Sequence, residues 1–385
     1  MKSKKVVAFG ATAAVALAGI AFTAAPAYAD PVSDGYSIVG SDTLQDAVGA
    51  LANGTSVTGS PIKVSGAGKV LGSWDAFTLG VSGGVGKIQT KPYGPVFDRP
   101  NGSGAGRTSL LRSINYNGST VFNGVDVANQ VDLARSSSKG TSVAGGVLSY
   151  IPFGQDAISY IFKVGADANS NGDAAAATAW ISDLSKAELA SIYTATSGGL
   201  VSVPGTDYKV KPLAIQSSSG TWSTFLGKIG VSSTGTGVET RNNTIPENDG
   251  TVLTPAADEI QIIPLSVANY IGQANGASRI NTMAGVTAGS IGGVAPFTGS
   301  VPNLQPSTAF YNSSDWGRTV FIVVPTAKIT SGNAAFDQGV FNLTNPASTT
   351  SLTYWGTSGA PSTTKAVKIK FGFGQPQDPA FTANN

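Results

Sequence analysis

The chain has 385 residues, with 24 Lys and Arg against 22 Asp and Glu, and it contains no Cys and no His. These two absences exclude thiol chemistry, zinc–thiolate centres and a histidine general base, and with them most familiar hydrolase arrangements. An apolar content of 41% beside only 12% charged residues indicates a folded protein with a hydrophobic core.

The first residues carry the pattern of an export signal. Lys2, Lys4 and Lys5 precede a long apolar run that ends in Ala27-Tyr28-Ala29, a small-residue cleavage pattern. We therefore expect a signal peptide over residues 1–29, cleaved after Ala29, and a secreted, extracellular protein. A membrane span over the same run is the alternative, which its Ala, Gly and Thr content disfavours. Because the chain has no Cys, we expect no lipid anchor on that residue.

Removal of this segment also removes the apparent basicity of the chain. It takes away three lysines and no acid, so the formal charge becomes 2 − 3 = −1 over 385 − 29 = 356 residues. A nearly neutral chain without a basic stripe has no electrostatic reason to bind nucleic acid, so we expect no such partner. We also expect no cofactor, no metal site and a monomer.

Apolar runs rich in Val, Ile and Phe alternate along the chain with helical patterns. The predicted buried strands are residues 36–39, 157–164, 210–215, 260–265, 319–324 and 366–373. The predicted helices are a run from Leu44 that stops at Gly54, a shorter stripe over 110–114, a helix opened by the Ser185–Glu188 capping box through Tyr193, and a run from Trp222 that stops at Gly230. This alternation predicts an α/β fold.

Three segments join a strand-like run to a helix through Gly, Ser and Thr. They are residues 39–44, 101–108 and 217–221. Each would place hydroxyls and free backbone N–H groups at a helix N-terminus, where the unpaired amides favour an anion. Ordinary helix capping is the alternative at any one of them, but three together, with Gly220 giving access to the backbone, favour an oxyanion site.

Six short segments resemble one known group of proteins. They are residues 38–45, 99–103, 132–137, 150–160, 184–189 and 219–221, in that order. Through them the chain resembles the exported phosphate-binding (substrate-binding) proteins of ABC transporters, in particular the actinobacterial branch of the periplasmic-binding-protein type 2 family.

The resemblance implies a two-lobed α/β fold with hinge-crossing strands and the ligand held in the cleft between the lobes. Residues 157–164 and 319–324 resemble the two crossings. Lobe one would then comprise residues 30–155 plus 319–385, and lobe two residues 156–318.

The resemblance also implies which residues contact the anion. The family's hydroxyl and amide donors fall on Thr43 with the Leu44 amide, on Ser103, and on Ser219 with Gly220 and Thr221. The family's arginine before Ser-Gly-Thr is missing, because Ile215 and Gln216 stand there. Its proton-accepting Asp aligns near Ser136 or Ser137.

Two nearby residues are candidates for the missing roles. Arg135 could supply the positive charge, with a salt bridge as the alternative, and Asp42 could accept the ligand's proton, with a helix cap as the alternative. The predicted ligand-binding residues are Asp42, Thr43, Leu44, Ser103, Arg135, Ser136, Ser137, Ser219, Gly220 and Thr221.

Three functions remain open from the sequence. The leading one is a non-enzymatic extracellular binding protein for inorganic phosphate or a similar oxyanion, delivering it to the permease of an ABC transporter. The second is a secreted adhesion, matrix or larger-ligand-binding protein that kept the fold but lost phosphate binding. The third is a carboxylate-pair hydrolase using Asp156, Glu247 or Asp249, which the lack of a pairing pattern disfavours.

Overall fold

The computed structural model describes residues 32–77 and 86–385 of the chain. The predicted signal peptide over residues 1–29 lies outside the described residues. The described part is an α/β fold built on one large mixed sheet, which confirms the predicted fold class. Over the same residues, no helix has both the length and the apolar character that a membrane crossing needs.

Strands of very different length make up the sheets. The described residues form β1 Tyr36–Gly40, β2 Ser65–Gly66, β3 Lys69–Ser73, β4 Lys87–Ile88, β5 Phe97–Asp98, β6 Val121–Phe122, β7 Val125–Asp126, β8 Leu133–Ser136, β9 Leu148–Val164, β10 Asp183–Leu184, β11 Val201–Ser202, β12 Lys209–Pro212, β13 Glu259–Ser266, β14 Thr287–Ala288, β15 Ser290–Ile291, β16 Phe297–Thr298, β17 Gln305–Pro306, β18 Gly317–Pro325 and β19 Phe381–Ala383.

The helices are short. They are α1 Gln45–Asn53, α2 Ser103–Ser113, α3 Asp173–Ile181, α4 Lys186–Thr194, α5 Gly220–Ile229, α6 Val267–Ala274, α7 Thr308–Tyr311, α8 Thr326–Ile329, α9 Gln338–Thr344 and α10 Thr364–Lys370. Within residues 32–77 and 86–385, four 3-10 helices cover Asp42–Leu44, Tyr116–Gly118, Arg241–Asn243 and Gly250–Val252.

In the described part of the chain, the large sheet has eleven strands in the order β11-β12-β13-β9-β18-β8-β1-β3-β2, with β14 and β19 also paired to β9. Its centre is the 17-residue strand β9, which is buried along almost its whole length. The first part of β9 pairs with β18, and its second part pairs with β13. One continuous strand therefore connects the two halves of the sheet.

Both faces of the sheet are covered by apolar side chains. Beside β1, β8 and β18, one core cluster contains residues of α1, α9 and α10, and another contains Leu110 of α2. Beside β12 and β13, a third cluster contains residues of α3 to α6, and a fourth lies around Ile263 and Leu265. Strands covered on both faces carry continuous apolar runs, as residues 320–324 of β18 do.

Most predicted elements are confirmed. The run after Leu44 forms α1 and ends at Gly54, the run after Trp222 lies in α5 and ends at Gly230, and Ser185 with Glu188 makes both bonds of the capping box. The strand predicted over 210–215 is shorter, because β12 ends at Pro212.

The strand predicted over 366–373 is wrong, since residues Thr364–Lys370 form helix α10. Thr363 caps this helix by accepting a hydrogen bond from the backbone N–H of Ala366. Val367 and Phe371, four residues apart, both face the core, whereas Ile369 between them is 40% exposed. The buried side chains follow the spacing of a helix and not the alternation of a strand.

Candidate functional site

Most of the predicted ligand residues gather at one edge of the sheet, where β1 and β8 end. These strands are parallel neighbours with Gly40 opposite Arg135, so the residues that follow them leave the sheet side by side. Ser41 and Ser137 meet there, with 3.0 Å between their hydroxyl oxygens. Two parts of the chain that are 96 residues apart thus bring hydroxyls to one place.

Helix α2 adds a hydroxyl through its first residue, Ser103. Its Oγ accepts a hydrogen bond from the backbone N–H of Ser137 at 2.9 Å and lies 3.2 Å from the Ser137 hydroxyl. The helix comes this close because a Cβ on Gly106 would lie 2.6 Å from the Cα of Gly40. Two glycines therefore allow the N-terminus of α2 to reach the strand ends.

Helix α5 brings its own N-terminus onto the same hydroxyls. Ser219 caps the helix by accepting the backbone N–H of Thr221 at 3.0 Å. Gly220 has no space for a side chain, since a Cβ there would lie 2.5 Å from the hydroxyl oxygens of both Ser103 and Ser137. The glycine in Ser-Gly-Thr is thus required for the two helix ends to meet.

Arg318, in β18, supplies positive charge to these residues. Its Nη2 donates to the hydroxyl of Thr221 at 2.7 Å and to that of Thr43 at 3.3 Å. The guanidinium also forms an ion pair with buried Asp156 at 2.8 Å. Asp156 accepts a further hydrogen bond from the Ser266 hydroxyl at 2.9 Å. Asp156 therefore neutralises the charge of the guanidinium. The same guanidinium donates to two of the predicted hydroxyl donors.

Glu247 completes the site with a fully buried carboxylate. One of its oxygens accepts a hydrogen bond from the Thr43 hydroxyl, and the other accepts one from the Ser219 hydroxyl at 2.8 Å. The hydroxyls of Thr43 and Thr221 are 3.2 Å apart. We call Thr43, Ser103, Ser137, Ser219, Thr221, Arg318 and Glu247 the polar cluster.

Asp42 lies beside the polar cluster and is fully buried. Its Oδ2 accepts a hydrogen bond from Nε2 of Gln216 at 2.8 Å, but no described residue donates to its Oδ1, and Oε1 of Gln216 is likewise without a partner there. Burial and the neighbouring Glu247 carboxylate raise the pKa of Asp42 well above its usual range. The side chain makes no helix cap, because Ser41 occupies that position.

The structure places Arg135 away from the other predicted residues. Its fully buried guanidinium donates to the backbone carbonyls of Ile38, Gly40, Ser41 and Trp74 and to the Ser73 hydroxyl. None of these partners is a predicted ligand residue. Burial lowers the pKa of Arg135 to about 10. Arg135 therefore links the end of β1 to the end of β3 and the residue that follows it.

Two further predicted residues lie at the rim of the polar cluster. Ser136 accepts from a guanidinium nitrogen of Arg107 at 2.9 Å and donates to the carbonyl of Ser138 at 2.7 Å. Leu44 follows Thr43 in the 3-10 helix, and its side chain is buried in the core cluster that contains α1.

The carboxylates considered for hydrolysis are separated by the structure into two groups. Glu247 and Asp156 both lie at the site, linked through Thr43 and Arg318. Asp249 instead caps the 3-10 helix Gly250–Val252 by accepting the backbone N–H of Thr251 at 2.9 Å. Over residues 32–77 and 86–385, no group of three or more metal-ligating side chains is arranged to hold a metal ion.

Sequence reasoning missed the roles of Arg318 and Gln216 and did not connect Glu247 with the hydroxyls. Arg318 directly precedes the predicted strand 319–324, and a charged residue that leads into a buried strand is a signal that could have identified it. Gln216 replaces an expected arginine and bridges Asp42 to the carbonyl of Asn101.

Comparison with known proteins gives only distant structural likenesses. No family model matches the chain, and no curated protein matches it. It is similar to a protein from Clostridium perfringens assigned as a phosphate ABC transporter substrate-binding protein and solved with bound phosphate, with 13% identity, a TM-score of 0.43, and coverage of 80% of this chain and 92% of that one.

Two other solved structures are similar over most of their length. One is an ABC-type phosphate transport receptor from Vibrio cholerae, with 14% identity, a TM-score of 0.40, and coverage of 76% of this chain and 87% of that one. The other is a phosphate-binding protein from Stenotrophomonas maltophilia, with 13% identity, a TM-score of 0.38, and coverage of 76% and 78%.

Proposed function

We propose that this chain is a secreted, non-enzymatic binding protein for inorganic phosphate or a similar tetrahedral oxyanion. The observation that carries the proposal is the convergence of the Thr43, Ser219 and Thr221 hydroxyls with the Arg318 guanidinium in one buried place. Hydroxyl and guanidinium donors suit the oxygens of a tetrahedral anion. The N-terminus of the ten-residue helix α5 adds a favourable field.

Preference for phosphate over sulfate would come from Asp42. Its Oδ1 has no partner among the described residues, so it would accept a hydrogen bond from a ligand hydroxyl, and this bond would offset the effect of burial by favouring the ionised carboxylate. Phosphate near neutral pH carries a proton to donate, and fully ionised sulfate does not. A buried acceptor left unpaired by sulfate costs about 1–3 kcal/mol, which is enough for discrimination.

Binding would close the two lobes over the anion. The proposed lobes, residues 30–155 plus 319–385 and residues 156–318, contribute Thr43 and Thr221 respectively. A ligand that contacts both favours the closed form by its better contacts there. The protein would be a monomer, without a cofactor, that delivers its ligand to the permease of an ABC transporter.

A second candidate function is a secreted adhesion, matrix or larger-ligand-binding protein. The observation that favours it is that the segments around the polar cluster already contact each other directly. The Gly104 backbone N–H donates to the Ser218 carbonyl at 3.3 Å, and the Ser218 hydroxyl donates to the Asn101 side chain at 2.8 Å. A scaffold that binds no small ligand would show no stabilisation by phosphate.

Titration calorimetry on matched threonine variants tests the proposed function. Thr221→Ala removes a hydroxyl of the polar cluster, and we expect it to weaken phosphate binding about 5- to 30-fold, the loss of one or two hydrogen bonds to an anion. Thr178→Ala is the control, because among the described residues that exposed hydroxyl bonds only to the Ala174 carbonyl of its own helix. Equal affinity of the two variants would contradict the site assignment.

A further inference from the structure

The Glu247 carboxylate occupies the position that the proposed function gives to an oxyanion. Its two oxygens are held by the hydroxyls of Thr43 and Ser219, which lie in different segments of the chain. These are two of the three hydroxyls that would hold the ligand. A carboxylate and a tetrahedral anion both present negatively charged oxygens as acceptors, so they use the same donors.

The Glu247 carboxylate and a bound anion cannot accept hydrogen bonds from the same hydroxyls at the same time. A hydroxyl has a single proton to donate. The Thr43 proton goes to Glu247, and so does the Ser219 proton, while the Ser219 oxygen accepts the N–H of Thr221. Neither hydroxyl can donate to a ligand until Glu247 has released it.

The charges at the site also disfavour an incoming anion while Glu247 is in place. Arg318 and Asp156 form an ion pair, and Asp42 and Glu247 add two more buried carboxyl groups. The charges of that ion pair cancel, so the Glu247 carboxylate leaves net negative charge at the site even when Asp42 is protonated. An incoming anion would add to this negative charge in a buried place, where uncompensated charge is costly. Withdrawal of Glu247 relieves both the repulsion and the competition.

The chain around Glu247 permits such a movement. Residues 244–249 lie between the 3-10 helices Arg241–Asn243 and Gly250–Val252 and form neither helix nor strand. The segment is held at its carbonyls, by the Gln216 backbone N–H at Ile245 and by Gln273 at Asn248. Movement of the Glu247 side chain away from its two hydroxyls would therefore not require either of these backbone contacts to break.

We propose that Glu247 is a built-in competitor that closes the anion site in the absence of ligand and must be displaced when an oxyanion binds. This inference rests on the proposed function and concerns its regulation. The carboxylate keeps the hydroxyls of two segments satisfied in the free protein. It also sets a threshold, because only an anion that outcompetes it enters the site.

The test is a phosphate titration of three proteins that have been unfolded and refolded to remove carried-over ligand. They are the wild type, Glu247→Gln, and the control Glu259→Gln, which alters a half-buried glutamate bonded to Gln261 in β13. We expect Glu247→Gln to lower the phosphate Kd at least about tenfold, which equals about 1.4 kcal/mol. We expect Glu259→Gln to leave the Kd unchanged.

The set of outcomes distinguishes failure of the inference alone from failure of the proposed function. If the wild type binds and Glu247→Gln binds equally or more weakly, the competitor role is overturned while the binding function stands. If no protein in the set binds phosphate, both fall. Glu247→Ala is measured in parallel, because it removes the competing oxygens altogether, and circular dichroism verifies that each variant is folded. Weaker binding by Glu247→Ala than by the wild type would also overturn the inference.

Discussion

At the scale of single residues, the structure divides the buried charged groups into those directed at the polar cluster and those that hold the fold together. Arg318 donates to Thr43 and Thr221, whereas Arg135 donates to backbone carbonyls and to Ser73. The two arginines are both almost fully buried, so burial alone does not show which of them belongs to the proposed anion site. Their partners do.

Arg135→Lys separates these roles. A lysine keeps the charge but cannot reproduce the fork of donors that Arg135 presents to four carbonyls. We expect the free energy of unfolding to fall by about 3 kcal/mol, since buried carbonyls lose their partners. The phosphate Kd should change by less than about twofold, a difference of under about 0.4 kcal/mol. Urea unfolding and calorimetry on the same sample check both, and a large rise in Kd with unchanged stability would contradict the structural role.

The raised pKa of Asp42 predicts a pH dependence of stability. A carboxyl group whose pKa is higher in the folded state supports folding below its ordinary pKa and loses that contribution as the pH rises through the raised value. The Asp42→Asn variant has no titrating side chain at this position. Its free energy of unfolding should therefore exceed that of the wild type at about pH 8 and approach or fall below it at about pH 4.

Urea unfolding of the wild type and Asp42→Asn across this pH range measures that difference. Each unit of pKa shift corresponds to about 1.4 kcal/mol, so the change is readily measured. A difference that stays constant with pH would show that Asp42 titrates in its usual range in the folded protein.

At the scale of elements, the close approach of α5 to α2 and β8 depends on the glycine at the start of α5. Gly220→Ala would place a Cβ 2.5 Å from the hydroxyl oxygens of Ser103 and Ser137. We expect the helix N-terminus to be pushed outward and phosphate binding to weaken about tenfold or more, because misplaced donors lose most of their hydrogen-bond energy.

Gly227→Ala is the matched control, since it makes the same substitution in the same helix. A Cβ at Gly227 would meet no described atom within 4 Å apart from the backbone of its own helix, and alanine favours a helix interior over glycine by about 1 kcal/mol. Its melting temperature should rise while the phosphate Kd stays the same. Similar binding by the two alanine variants would argue against a site at the N-terminus of α5.

The local elements were largely predictable because their signals are local. Ser185 with Glu188 is a capping box that needs four residues to recognise, and Gly54 and Gly230 end helices where the apolar stripe stops. The prediction failed at α10 because Val367, Ile369 and Phe371 alternate with lysines, which mimics a strand. Thr363, whose side chain caps the helix at the backbone N–H of Ala366, is the local helix signal that this interpretation did not use.

At the scale of the whole molecule, the hydroxyl groups of the polar cluster could be predicted from the sequence, whereas its charged groups could not. Thr43, Ser103 and Thr221 sit in short motifs beside glycines, which the sequence displays directly. Arg318 and Glu247 meet Thr43 across 275 and 204 residues of chain. No local pattern specifies such contacts, which exist because β1, β8, β18 and the start of α5 meet at one end of the sheet.

The most direct test of the central claim is a thermal melt of the protein after unfolding and refolding to remove bound ligand. The melt is recorded without added anion, with phosphate, and with sulfate. A ligand at about one hundred times its Kd adds roughly 2.7 kcal/mol to the stability of the folded state. We predict a raised melting temperature with phosphate and little change with sulfate, whereas an unchanged melting temperature with both anions would contradict the oxyanion-binding function.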